Sequence, residues 1–271
     1  MIRVRIQGHR GWRARYPENS LLGFREAARL DVAAIELDLV EGMNGHFVVA
    51  HDPWLLDEEQ RVRGINTIPT EELQKRIIPP SSSADFPNQE RHDCTFILLD
   101  ELLALWPENG PTLNIEIKSK AIWEDRYQSE FSVLCDRLLE VLDASNLDVH
   151  LQSFDWRLVQ QLYTLSTHPV SWLCETPREL NDFQQSIPYP GQHLHGIGLH
   201  HSLVNENLIK WCSYAGLDLA VWTVNDLKIL DELIEMGARN IISDDPQLMI
   251  THLETSGISV NTNFWDLGQG S

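Results

Sequence analysis

The chain has 271 residues, 42% of them hydrophobic, with 40 acidic against 21 basic side chains and a formal charge of −19. That balance disfavours nucleic acid and anionic membrane as partners, because both attract a basic surface. No apolar run approaches the ~20 residues that span a bilayer, and the opening Met1-Ile2-Arg3-Val4-Arg5 lacks an apolar h-region and a cleavage signature, so the expectation is a cytoplasmic protein without a secretory signal.

In chain order, residues 3–9 alternate as a first strand. A loop from Gly11 to Pro17 follows, and Asn19 is predicted to cap a helix carrying Leu21, Leu22, Phe24, Ala27 and Ala28. Strand two covers 33–40. Its Ile35, Leu37 and Leu39 fall on one face, and Glu36 and Asp38 on the other. Asn44-Gly45 then signals a tight hairpin into Phe47-Val48-Val49-Ala50. From Pro53 to about Thr95 the pattern breaks down into an irregular insertion with Pro79-Pro80, three serines and Pro87, and a short helix at 71–77. Regular alternation resumes after it. Helices are predicted at 100–106, 125–143, 155–165, 177–186, 205–214, 226–236 and 245–253. Strands are predicted at 112–118, 148–153, 170–174, 194–199, 218–224 and 239–243. The tail from Thr255 is polar and Gly-rich and is expected to be mobile or draped on the surface. The four cysteines, Cys94, Cys135, Cys174 and Cys212, form no C-x-x-C pair, which reads as free thiols rather than a zinc or redox motif.

Eight strands, each followed by a helical pattern, predict a single (β/α)₈ barrel over 1–271, with 54–95 inserted after the second strand and 255–271 as a tail. A doubly wound sheet is the rival, but His9-Arg10-Gly11 is not the Gly-rich turn such a sheet carries after strand one. In a barrel the chemistry sits at the carboxyl ends of the strands. His9, Glu36, Asp38, Glu116, Lys118, Gln152, Phe154 and Trp222 all fall there, which predicts one shared site. Three carboxylates so close repel unless a cation relieves them, and their excess over histidine favours Mg²⁺ or Ca²⁺ over zinc. Two histidines, His9 and His51, allow one base and one acid. Arg10 and Lys118 add positive charge for a phosphate. Together these residues suit metal-assisted phosphoryl transfer.

The motifs His9-Arg10-Gly11, Pro17-Glu18-Asn19, Glu36-x-Asp38, His51-Asp52-Pro53, Glu116-x-Lys118, Gln152-Ser153-Phe154, Trp222-Thr223-Val224-Asn225 and Asp244-x-Pro246 stand in the order seen in glycerophosphodiester phosphodiesterases. The chain resembles that family over nearly its whole length except 54–95 and the tail. The resemblance implies a TIM barrel that hydrolyses a small-molecule glycerophosphodiester to sn-glycerol 3-phosphate and an alcohol, with a divalent cation. By the same resemblance, His9 and His51 are the acid/base pair, and Glu36, Asp38 and Glu116 the metal ligands. Arg10 and Lys118 contact phosphate, and Trp222 walls the substrate pocket. Attack by water and attack by the substrate's own glycerol hydroxyl through a cyclic phosphate both stay open. The sequence departs from the family at Gly42-Met43-Asn44-Gly45 and at Leu55-Leu56-Asp57-Glu58-Glu59, which leaves substrate choice open. A lysophospholipase D of the same barrel and a non-catalytic phosphate-ester-binding module are the alternative readings. The preferred alcohol, the cation and the oligomeric state are not legible in the sequence.

Overall fold

A computed structural model describes residues 2–57, 59–82, 84–119, 131–186 and 194–266. The chain runs β1 (Arg3–Gly8), α1 (Leu21–Ala27), β2 (Ala34–Glu41), β3 (Phe47–Val49), β4 (Trp54–Leu56), β5 (Val62–Gly64), α2 (Thr70–Leu73) and α3 (Leu99–Leu105). It continues β6 (Thr112–Ile117), α4 (Phe131–Asp143), β7 (Val149–Ser153), α5 (Trp156–Leu165), β8 (Val170–Cys174), α6 (Pro177–Ser186) and β9 (Gly196–His200). It ends α7 (Glu206–Ala215), β10 (Asp218–Trp222), α8 (Leu227–Met236), β11 (Asn240–Ser243), α9 (Pro246–Thr255) and β12 (Ser259–Val260). The predicted start of α4, residues 125–130, lies outside the described residues.

Strands β1, β2, β6, β7, β8, β9, β10 and β11 pair in that order, all parallel, and β1 closes the ring by pairing with both β2 and β11. This is the predicted (β/α)₈ barrel. Strand alternation explains it residue by residue. The outward Ile35, Leu37 and Leu39 of β2 are fully buried under the helices. Each helix presents one apolar stripe to that layer, as α4 does with Leu134, Leu138 and Leu142. The predicted hairpin forms: Asn44 (φ 57°) and Gly45 (φ 80°) take the left-handed conformation at the turn, and β3 runs back antiparallel to β2. That reversal carries the chain to His51 at the barrel mouth.

The inward residues sort into two levels. Low in the barrel, Gln7 donates to Asn240 at 2.7 Å, Asn114 donates to Gln7 at 2.8 Å, and His150 bridges Asn114 (2.7 Å) and Ser171 (2.9 Å). Burial, with His195 and Arg5 nearby, holds the His150 pKa well below the usual 6.5, so His150 is a neutral member of this network. At its base Arg5 makes two bonds to Asp218 (2.8 and 2.5 Å) and one to the Phe264 carbonyl (2.7 Å). The composition of the tail predicts a segment that is mobile or draped on the surface. Up to Asp266 it is draped: it adds β12 to β1 and buries Phe264 beside Ala33, Ala34 and His150, closing the lower end of the barrel. Removing one partner of a buried ion pair leaves an uncompensated charge. Asp218→Ala is therefore expected to lower unfolding stability by about 3–5 kcal/mol in urea titration. A loss under 1 kcal/mol would show that the pair carries little.

Candidate active site

Register brings the acidic residues together. Asp38 on β2 stands beside Glu116 on β6, and Glu116 beside Gln152 on β7. Glu36 lies one inward position below Asp38. Oxygens of Glu36, Asp38 and Glu116 all lie within 4.8 Å of one another, and all three side chains are buried. Lys118 bridges two of them, at 2.9 Å from Asp38 Oδ1 and 2.6 Å from Glu116 Oε1.

The turn after β1 supplies the next layer. Arg10 and Gly11 both take positive φ, 52° and 86°. A Cβ on Gly11 would sit 2.8 Å from the Gly23 backbone, so only glycine fits there. This strained turn aims the Arg10 amide at Glu36 Oε2 (3.0 Å) and places its guanidinium 3.1 Å from Asp38 and 3.1 Å from Glu18. Sequence reasoning assigned Arg10 to phosphate; here its guanidinium is already engaged by two carboxylates. Asn19, expected as a helix cap, does other work. Ser20 caps α1, while Asn19, at φ 51°, donates to Asp38 Oδ2 (2.8 Å) and accepts from the Asp38 amide (3.1 Å).

Both predicted histidines reach the site, each anchored by an aspartate. His9 Nδ1 lies 2.7 Å from Asp244 Oδ1, which leaves Nε2 4.0 Å from Glu36. Asn225 in turn donates to Asp244 at 2.6 Å. His51 Nδ1 lies 2.9 Å from Asp52 Oδ1, which leaves its Nε2 for the cavity. An acceptor on Nδ1 fixes the tautomer of the ring. His9, Arg10, Glu36, His51, Glu116, Lys118 and Trp222 line one cavity of about 250 Å³ at the mouth of the barrel. Gln152 and Phe154 stand in its wall, as the sequence suggested. Trp222 packs edge-on to Phe154 at 5.5 Å, and its buried indole N–H has no acceptor among the described residues. His200 packs against the Trp222 ring at 5.3 Å and His201 against His200 at 4.3 Å, and neither lines the cavity. Sequence reasoning gave no role to Glu18, Asn225 or Asp244. Each belongs to a motif it had noted, but the partners lie far apart in the chain.

The electrostatics follow from burial. Burial raises the Glu36 pKa, and the neighbouring Asp38 charge raises it further. Burial also opposes ionisation of Asp38, but Lys118 and Arg10 outweigh it and hold that carboxyl well below the usual range. Burial, with repulsion from Asp38 and Glu36 and against the pull of Lys118, pushes Glu116 up to about 7. For His9, burial lowers the pKa, but Asp244 and Glu36 overcome it and leave it raised. His51 is lowered, first by burial. Two buried carboxyls that resist ionisation beside a third that is ionised form an all-oxygen donor set short of positive charge. That is what a hard divalent cation satisfies.

A parallel eight-stranded barrel with carboxylates and anchored histidines at the carboxyl ends of its strands has the architecture of a TIM-barrel enzyme. Comparison with known proteins narrows the class. Residues 9–248 match the glycerophosphoryl diester phosphodiesterase family, and the chain belongs to it, among the phosphoric diester hydrolases. It is 23% identical over 259 residues to the glycerophosphodiester phosphodiesterase of Caldanaerobacter subterraneus subsp. tengcongensis, covering 94% of this chain and all of the relative. A solved structure from Silicibacter pomeroyi DSS-3 superposes with a TM-score of 0.85 at 23% identity, covering 96% of both chains. An Oleispira antarctica phosphodiesterase solved with the product sn-glycerol-3-phosphate gives a TM-score of 0.74 at 18% identity, covering 92% of this chain and 96% of that one.

Proposed function

We propose that this chain hydrolyses a glycerophosphodiester to sn-glycerol 3-phosphate and an alcohol, using His9 and His51 as the acid/base pair. The observation that carries this reading is the pair of aspartate-anchored histidines facing one cavity with the carboxylate cluster. Each anchor orients a ring and leaves Nε2 to move a proton at an ester or attacking oxygen. Glu36, Asp38 and Glu116 would hold the cation, Mg²⁺ or Ca²⁺ by the hardness of the donor set. When bound, the cation supplies Lewis-acid neutralisation of phosphate charge. Lys118 and Arg10 add positive charge around the phosphoryl oxygens. The unsatisfied Trp222 indole N–H is a donor that a substrate oxygen would pair. The small cavity suits a phosphate and a three-carbon glycerol rather than a macromolecule.

The test is glycerol 3-phosphate release from glycerophosphocholine with Mg²⁺, with Ca²⁺ and with chelator. Release is expected with at least one cation and should fall to background in chelator. Cleavage of a lysophospholipid alone would move the assignment to a lysophospholipase D. Binding of phosphate esters without turnover would leave a binding module.

A further inference from the structure

The insertion builds a second, much larger cavity of about 1190 Å³ against the catalytic one. His51 lines both. Residues 51–57 run from the catalytic histidine directly into the hairpin of β4 and β5, so the wall of the larger cavity is continuous with the site. Its floor is apolar and buried, with Ile65 and Ile78, and Phe96 beside them. Its lining includes three large apolar side chains that no described residue covers fully. Trp54 is 38% exposed, Leu56 46% and Ile77 54%. Trp54 and Leu56 are two apart on β4 and so share one face of the hairpin.

Several charges around this groove are paired: Glu72 with Arg63 and Arg76, Asp57 with Arg61, and Glu18 with Arg10 and Arg13. Asp52 hydrogen-bonds the His51 ring, and Glu71 and Lys75 also line the rim. An ordinary ligand pocket holds ~300–1,000 Å³. The catalytic cavity is below that range and the groove exceeds it, so the two divide the substrate into a small polar end and a bulky remainder.

We propose that the groove receives the alcohol half of the diester, and that the preferred alcohol carries an aliphatic chain rather than a small cationic head. The proposal rests on the hydrolysis proposed above. With glycerol phosphate held at the carboxylate cluster, the ester oxygen next to His51 stands at the groove mouth. The group on that oxygen passes over Trp54, Leu56 and Ile77. Those side chains reward contact with methylenes, whereas a small head group would leave most of a 1190 Å³ groove unfilled.

The experiment is a ladder of glycerophospho-n-alkanols from ethanol to octanol, with glycerophosphocholine for comparison, each followed by glycerol 3-phosphate release with saturating Mg²⁺ or Ca²⁺. kcat/KM is expected to rise about twofold to fourfold per methylene over the first several carbons. The hexanol ester should exceed glycerophosphocholine. Trp54→Ala and Ile77→Ala should flatten the ladder. Its slope is a ratio within one preparation, so partial misfolding of a variant does not mimic the effect. A flat ladder in the wild type, a preference for choline, or an unchanged slope in both variants would overturn the proposal while leaving hydrolysis intact. A gain seen only with a chain acylated on the glycerol would overturn it as well. Absence of release from every ester would remove the hydrolysis and this proposal together.

Discussion

Replacing His51 with alanine is expected to lower kcat/KM for glycerophosphodiester hydrolysis by about 10²–10⁴-fold, with a similar loss for His9→Ala. Positioned proton transfer is worth that much, and each ring is held by one aspartate with Nε2 left for the cavity. The double variant should lose little more than either single one, because residues that act as a unit are not additive. The pH profile gives a second readout. The His51 pKa is lowered by burial, and the His9 pKa is raised because Asp244 and Glu36 overcome its burial. The acid limb of kcat/KM should therefore fall below the ordinary 6.5 and the alkaline limb above it, whichever ring is acid and whichever base. With His51 as base and His9 as acid, His51→Ala should lose the acid limb and His9→Ala the alkaline one; the reverse assignment exchanges them. His51 is on a loop and its side chain is 36% exposed, so its substitution should leave unfolding stability within about 0.5 kcal/mol. Activity within tenfold of wild type in either variant would exclude that ring from proton transfer.

What was legible in the sequence follows the range of the forces involved. The split of Ile35, Leu37 and Leu39 from Glu36 and Asp38 depends only on the period of a strand, so the carboxylate face could be read directly. The hairpin at Asn44-Gly45 is equally local. His9 and Asp244 lie 235 residues apart and meet only because β11 closes the barrel against β1. No local pattern reports that contact. Asn19 obeys a local capping rule on paper, but Ser20 takes the cap, and a left-handed turn turns Asn19 onto Asp38. Here the tertiary contact overrides the local preference. Up to Asp266 the polar tail lies along the surface as expected, and Phe264 alone among residues 255–266 is buried, a docking that no local pattern reports.

Holding three carboxylates together also has a cost in stability that can be measured without any substrate. In chelator at pH 8, Glu116→Gln is expected to raise the unfolding free energy by on the order of 1–3 kcal/mol. Glu116 is pushed from the usual 4.5 up to about 7 by burial and by Asp38 and Glu36, against the pull of Lys118. A carboxyl raised in the fold binds its proton more tightly than in the unfolded chain. The stability it contributes is complete below about 4.5 and is lost as pH rises through 7, so at pH 8 the wild type bears the full penalty. Glutamine keeps the shape and removes the charge. The advantage of the variant should shrink as pH falls from 7 toward 4.5. A divalent cation should reverse the order. At a hundredfold excess over its Kd it adds about 2.7 kcal/mol to a chain that binds it only when folded. The variant, with one anionic oxygen donor fewer, should gain far less. Unfolding curves with Mg²⁺, with Ca²⁺ and with chelator at pH 8 and pH 5 check all of this. A variant less stable than wild type in chelator at pH 8 would mean that Glu116 is not strained, and one stabilised equally by the cation would mean that it is not a ligand. The reversal would show that one electrostatic conflict opposes folding in the metal-free chain and drives cation binding.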